Sequence, residues 1–347
     1  MLTNLLSRTL RHLTAVVAAG MFAGIFLFSS LSAAAELRLY SYLAKDVQDE
    51  LTAFLNKELA DEIGMPIVSL AASTGVLHAR IMAEAPRINA DVIIHSDWGQ
   101  IKLAKAGLLE AYPNAPAWKD IDAIYKEPNG LYYNLGTFSY VLLANKDMIT
   151  KKGYSMPESW FDLLDPKWKG EIILPSPVTS GTATLINATA LSLFRKEDSG
   201  WSFLEHLDKN VAQYTKSGNT PLNAVARGEF LLGMASDENV PGMIKEGYPL
   251  VVAPLREGVG AGGNMISIVK GTKQLEAAKK LVNFAGTKKF QHNLAQYGYL
   301  MAREGMPSAL YKTKPKFIEL DAAWAADNRD RILKIWKGKF LKKSESK

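Results

Sequence analysis

The chain has 347 residues, long enough for two domains of ordinary size, and its 48% apolar and 22% charged residues exclude a disordered or fibrous protein. It contains no cysteine, which rules out thiol nucleophiles, disulfides and cysteine-based zinc sites. The formal net charge of +6 is local: residues 329–347 carry eight Lys/Arg against Asp330 and Glu345, two arginines precede residue 36, and the 31 basic and 33 acidic groups in between leave no basic surface for nucleic acid.

In chain order, the first feature is an apolar run over residues 13–28, preceded by Arg8 and Arg11 and followed by small residues. Ala33 and Ala35 meet the small-x-small rule for cleavage, so residues 1–35 read as a secretory signal peptide and Glu36 as the first mature residue. An uncleaved membrane anchor is the other reading. No later segment approaches the roughly 18 apolar residues of a membrane span, so the rest of the chain is expected to be soluble and exported.

From residue 36 onward, strand-like runs alternate with helical periodicity, the rhythm of an α/β protein. Residues 37–42 (LRLYSY) predict a strand, and Val47, Leu51, Phe54 and Leu55 mark an amphipathic helix over 46–59. Residues 67–70 predict a second strand, leading through Ser73-Thr74-Gly75 into a helix over 76–84. Residues 91–95 (DVIIH) predict a third, leading through Ser96-Asp97 into another helix. Strands that end in hydroxyl or acidic residues before a helix suit an open sheet whose ligands collect at the strands' carboxyl ends.

Residues 131–145 form a long β-rich run without helical period, read as the crossing between domains. Residues 171–174 (EIIL) predict a strand that feeds SPVTSGTAT at 176–184, and 230–235 predict another that ends at Ser236-Asp237-Glu238-Asn239. Residues 250–253 and 265–269 complete the β content, and Ala277, Ala278, Leu281, Val282, Phe284 and Ala285 predict a helix returning to the first domain. The expected division is a first lobe over 36–135, a second over 136–262, a return over 263–328 and a basic tail over 329–347. In that tail Ile332, Ile335, Trp336 and Phe340 recur with helical spacing, which favours a terminal helix packed on its own domain over one lying on anionic lipid or on a partner.

Few chemical signatures survive inspection. Gly258, Gly260 and Gly263 formally give G-x-G-x-x-G, but residues 264–269 continue as a strand and not as a phosphate-binding helix, so the run reads as a hinge or cleft-lining loop. There is no HExxH pair and no G-x-S-x-G elbow, so no catalytic residue, metal or cofactor is expected. His95, at a strand mouth, reads as a hydrogen-bonded structural histidine more than as a ligand contact, and Trp98, Tyr42, Tyr133 and Tyr214 as core more than as cleft walls. The positive signal is two helix starts, Ser73-Thr74-Gly75 and Thr179-Ser180-Gly181-Thr182. The first N–H groups of a helix lack internal partners and carry the positive end of its dipole, so a phosphate, phosphonate or carboxylate is well received there. Either stretch alone could be a simple N-cap; two of them in two domains point to one shared ligand. Asp237 and Glu238 are candidates to pair with its ammonium or hydroxyl end, or else solvated loop acids.

These residues resemble the periplasmic solute-binding proteins of ABC importers, in the branch that includes ferric-iron, phosphonate, sugar-phosphate and polyamine binders. The resemblance rests on the order and spacing of LRLYSY, ASTGVLHARIMAEA, NADVIIHSD, KAGLLEAY, VLLANKDM, PESWFDLLDPKWKGEIILPSPVTSGTA, NAVARGEFLLGMAS and SIVKGTKQLEAAKKLVNFA. It implies an α/β protein of two lobes joined by crossing strands, a ligand cleft between them, a monomer that binds one small solute, and a membrane permease as partner. It also implies solute contacts from Ser41 and Tyr42, Ser73, Thr74 and Gly75, Ser96, Thr179, Ser180, Gly181 and Thr182, and Asp237 and Glu238. Ferric-iron members carry adjacent tyrosines after the strand equivalent to FLLGMAS. This chain has Asp237-Glu238-Asn239 there, which disfavours bare ferric iron and leaves a small organic anion, such as 2-aminoethylphosphonate or a phosphorylated compound, as the expected solute. An exported hydrolase using Asp237 or Glu238 as a base would lack any paired nucleophile.

Overall fold

Strands with no polar alternation must be covered on both faces, and the strand Val92–Ser96 (VIIHS), buried at every position, is of that kind. It sits inside a sheet of the computed structural model, which describes residues 35–194, 196–311, 315–318 and 320–344. The segment read as a signal peptide lies outside the described residues except for Ala35. The first half of the molecule carries strand β1 (Leu37–Ser41), helix α1 (Lys45–Ile63), β2 (Ile67–Ala71), α2 (Thr74–Glu84), β3 (Val92–Ser96), α3 (Asp97–Lys105) and β4 (Leu109–Glu110). After β5 (Tyr133–Asn145) and α4 (Lys146–Lys152) come β6 (Ile172–Pro175), α5 (Gly181–Ser192), α6 (Glu197–Asp208), β7 (Val211–Thr215), α7 (Thr220–Ala226), β8 (Leu232–Ser236), α8 (Val240–Lys245) and β9 (Leu250–Ala253). The chain closes with β10 (Val259–Val269), α9 (Leu275–Ala285), α10 (Lys288–Ala295), β11 (Leu300–Met301), β12 (Phe317–Ile318) and α11 (Ala322–Phe340).

The strands hydrogen-bond in the order β2-β1-β3-β10-β5-β8-β6-β7. Parallel strands lie at both ends, β2-β1-β3 in one lobe and β8-β6-β7 in the other, with β10 and β5 running antiparallel between them. β5 is the crossing element: its residues 133–139 pair with β10, and residues 140–145 pair with β8 and β9. The helices follow from periodicity. In α1, Val47, Leu51, Leu55 and Leu59 recur every fourth residue and are buried, and Gly64 ends the helix in the left-handed conformation that favours glycine.

Two segments behave differently from their sequence reading. The glycine run at 258–263 is not a loop: Val259 to Gly263 lie inside β10, and a Cβ at Gly260 would overlap Thr189 Oγ1 of α5 and Leu320. The glycines there are packing residues that let a helix approach a crossing strand. Helicity at the C-terminus begins at Ala322, ahead of the expected tail, and Ile332, Trp336 and Phe340 bury one stripe, with the Trp336 ring 5.1 Å from that of Tyr214.

Candidate functional site

The carboxyl ends of β1, β2, β7 and β8 and the loop after β6 all open on one recess between the lobes. Its volume is about 230 Å³, with Tyr42, Leu43, Ala44, Lys45, Ala71, Ala72, Ser73 and Thr74 on one wall and Ser180, Gly181, Thr182, Ser217, Gly218, Asn219, Ser236 and Glu238 on the other. The helices α1 and α2 begin on the first wall, at Ala44 and Ser73, and α5 and the short α7 on the second, at Ser180 and Asn219, so the positive dipole ends of both lobes serve one space.

The hydroxyls divide by task. Ser180 is the N-cap of α5 and accepts the Ala183 N–H at 3.3 Å. Ser73 holds the corresponding place on α2 but makes no capping bond, so that helix start and its hydroxyl both remain available. The side chains of Thr74 and Thr182 likewise have no hydrogen-bond partner among the described residues, although both are largely buried. Opposite them stands the acid end. Glu238 accepts from the Tyr299 hydroxyl, from the Ala44 N–H at the α1 start and, at 3.3 Å, from Asn219 Nδ2, while Asn219 Oδ1 has no partner among the described residues. Desolvation raises the Glu238 carboxyl pKa, and a hydroxyl or ammonium donor from a solute would offset the cost of its charged form. The Tyr42 hydroxyl is tied to Asn264 of β10, and desolvation holds its pKa well above the phenol range.

The lobes are in contact around this recess. Gly75 N donates to Thr179 O at 3.0 Å, and Asn239 Nδ2 donates to Asp46 Oδ2 at 2.8 Å. Glycine is required at the first contact, because a Cβ at Gly75 would lie 2.8 Å from Val178 O and one at Gly181 would press on Thr74 Oγ1.

Of the residues singled out from sequence, Tyr42, Ser73, Thr74, Ser180, Gly181, Thr182 and Glu238 come together on the recess wall. Five do not reach it. Ser41 is fully buried and its Oγ accepts the Leu43 N–H, since on a strand the residue before an outward side chain points inward. Ser96 is buried against His95 Nδ1 at 3.2 Å. Gly75 and Thr179 are spent on the contact between lobes, and the Thr179 hydroxyl donates to Lys216 O at 2.6 Å. Asp237 is buried behind the recess, accepting the Ser139 N–H at 3.0 Å and the Tyr311 hydroxyl at 3.1 Å. Desolvation lifts it to about 8, so it is a protonated structural group at neutral pH. Sequence reading missed Ser217, Gly218 and Asn219, whose segment KSGNT repeats the hydroxyl-glycine pattern at the end of β7; that strand had escaped notice. It also missed the α1 start at Ala44 and Lys45.

Two α/β lobes meeting over a polar recess, with helix starts from both facing inward, define a two-lobed binding protein of the periplasmic type. Residues 88–323 match the model of the bacterial extracellular solute-binding protein family, and the chain belongs to that family. It is 30% identical to an uncharacterized protein of Haemophilus influenzae over 93% of this chain and 94% of the other. A Salmonella typhimurium protein named as a 2-aminoethylphosphonate-binding periplasmic protein is 26% identical, covering 70% of each chain. The periplasmic binding protein AfuA of Actinobacillus pleuropneumoniae, solved with fructose-6-phosphate bound, superposes with a TM-score of 0.80 at 29% identity, over 88% of this chain and 98% of that one. Ferric-ion-binding proteins share the same fold. The chain is thus the solute-binding component of an ABC importer and not an enzyme. No helix among the described residues is long and apolar enough to cross a membrane.

Proposed function

We propose that the protein captures a small organic anion bearing a phosphate or phosphonate group and hands it to a membrane permease. The observation that carries this reading is the convergence of the α1, α2 and α5 starts with the unpartnered hydroxyls of Ser73, Thr74 and Thr182. Together they supply many donors and no buried cation, which holds an oxyanion reversibly. Glu238 and Asn219 then read the solute's other end, a hydroxyl as in a sugar phosphate or an ammonium as in 2-aminoethylphosphonate. The ligands named for AfuA and for the Salmonella relative both combine such ends.

In this reading residues 1–35 export the chain to the periplasm, where it acts as a monomer. The lobes divide as 36–135 and 136–262, with 263–328 returning to the first; support comes from β5 and β10, whose pairing changes side near those limits. The test is a thermal-melting panel of sugar phosphates, aminoalkylphosphonates, carboxylates, polyamines and ferric ion. A phosphate ester or phosphonate is expected to raise the melting temperature with concentration, following mass action. Stabilisation by ferric ion or polyamines alone would overturn the proposal.

A further inference from the structure

Tyr299 is not among the residues that line the recess, yet its hydroxyl donates to Glu238 Oε2, on the acid end of the site. Tyr299 is 2% exposed and stands one residue before β11, which pairs with β5 at Gly136 and Thr137, on the half of β5 that faces the first lobe. Glu238 comes from the other lobe, in the loop after β8, and is 6% exposed. Two more donors reach the same carboxylate: Asn219 Nδ2 on Oε1, at 3.3 Å, and the Ala44 N–H at the α1 start. The acid that faces the solute is thus held from both lobes.

An ionised carboxylate accepts and does not donate, and its two oxygens offer about four lone-pair sites. Tyr299, Asn219 and Ala44 fill three of them, which leaves about one for a solute. With Tyr299 on one oxygen and Asn219 on the other, the carboxylate is pinned at both ends, so the direction of the remaining site is fixed before any solute arrives. A glutamate side chain that had to be ordered on binding would subtract its rotamer entropy from the affinity, and ordering it in advance removes that cost. The phenol is suited to the task. Burial, and then the negative charge of Glu238, hold the Tyr299 pKa well above its ordinary value, so the hydroxyl remains a donor at neutral pH.

We propose that Tyr299 is a positioning residue for specificity: by fixing Glu238 it sets which donor on the far end of the solute the recess accepts. The proposal rests on the reading of the recess as an oxyanion site, because the far end is defined by where the phosphorus group is held. Tyr299 acts through Glu238 and touches no solute atom itself.

Titration calorimetry on the full chain with inorganic phosphate, 2-aminoethylphosphonate and a hexose monophosphate separates the two ends of the site. The wild type should bind at least one organic probe more tightly than inorganic phosphate. Tyr299→Phe keeps the ring and removes the donor, and it should shrink that preference roughly tenfold. An unchanged preference, even with weaker binding of every probe, would make Tyr299 structural only and overturn the proposal, as would equal affinity of the wild type for all three. In the Glu238→Gln background, where the carboxylate is gone, Tyr299→Phe should change the preference little; additive losses contradict action through Glu238. No binding of any phosphorus probe to the wild type contradicts the oxyanion reading instead, and the hold of Tyr299 on Glu238 is then measured without solute. Carbon NMR should show the Glu238 carboxyl titrating at higher pH in Tyr299→Phe than in the wild type, with Asp46, Asp237 and Tyr42, the other ionisable groups that act on it, left in place. An unchanged titration overturns the proposal.

Discussion

At the scale of single residues, side chains that look alike in sequence do different work. Ser180 caps α5 and Thr182 caps nothing, so Ser180→Ala should cost about 1 kcal/mol of stability while Thr182→Ala costs little. Titration calorimetry on both variants should nevertheless show solute affinity lost, and unchanged affinity would reduce the stretch to a helix cap. Asp237 makes a prediction about pH. Its folded-state pKa, about 8, stands above the ordinary 3.8, so between those values the folded state binds more protons than the unfolded state. Its contribution to stability is fully present below the unfolded value and is lost as pH rises toward 8. The melting temperature of the wild type should therefore fall relative to Asp237→Asn as pH is raised from 4 to 8, because an amide oxygen can accept the same two hydrogen bonds without titrating. Ser73, Thr74 and the 180–182 stretch were legible in the sequence because their signature is local: hydroxyls and a glycine at a strand-to-helix junction. Ser41 and Ser96 misled because the face a strand-end residue takes depends on pairing, and a shift of one position turns it inward.

At the scale of elements, α11 is the part least apparent from composition. Its lysines and arginines suggested a tail, whereas the helix spans both lobes. Asp327, Arg329 and Asp330 engage α3 of the first lobe, while Arg331 pairs with Glu197 and Trp336 packs on Tyr214 in the second. The apolar stripe should dominate the energetics. Trp336 is 1% exposed, and Trp336→Ala should cost about 3–5 kcal/mol in denaturant unfolding. The Arg331–Glu197 pair is bidentate but partly solvated, and Arg331→Ala should cost about 1 kcal/mol or less. Equal costs would mean that ion pairs hold the helix. The helical face was visible at Ile332, Trp336 and Phe340, but the surface receiving it was not, since Tyr214 lies more than 100 residues earlier and stood on a strand that went unrecognised. The glycine run of β10 was misplaced for a related reason: glycine signals flexibility locally, and only its distant partner Thr189 shows that it is there for close packing.

At the scale of the whole molecule, solute binding is expected to depend on the contact between the lobes. The recess exists because Gly75 meets Thr179 and Gly181 meets Thr74 across the two lobes. A methyl at position 75 would press on Val178 O, yet Gly75 is the second residue of α2, where alanine is a better helix former. Gly75→Ala should weaken solute binding roughly tenfold or more, ~1.4 kcal/mol, and the overlap with the Val178 backbone should outweigh the gain in helix propensity, so the melting temperature of the solute-free protein should fall. Small-angle scattering should show that solute compacts the wild type more than the variant, and equal compaction would contradict a closure that depends on this contact. The fold class followed from the alternation of strands and helices, and the cleft from two helix starts in separate lobes. The identity of the solute does not follow in the same way, because several anions share one set of donors. The most direct measurement is therefore native mass spectrometry of the purified protein, with the retained solute released by gentle unfolding. A small organic molecule containing phosphorus is the expected finding, and a bound ferric ion, a polyamine or a neutral sugar would contradict the reading of the cleft as an oxyanion site.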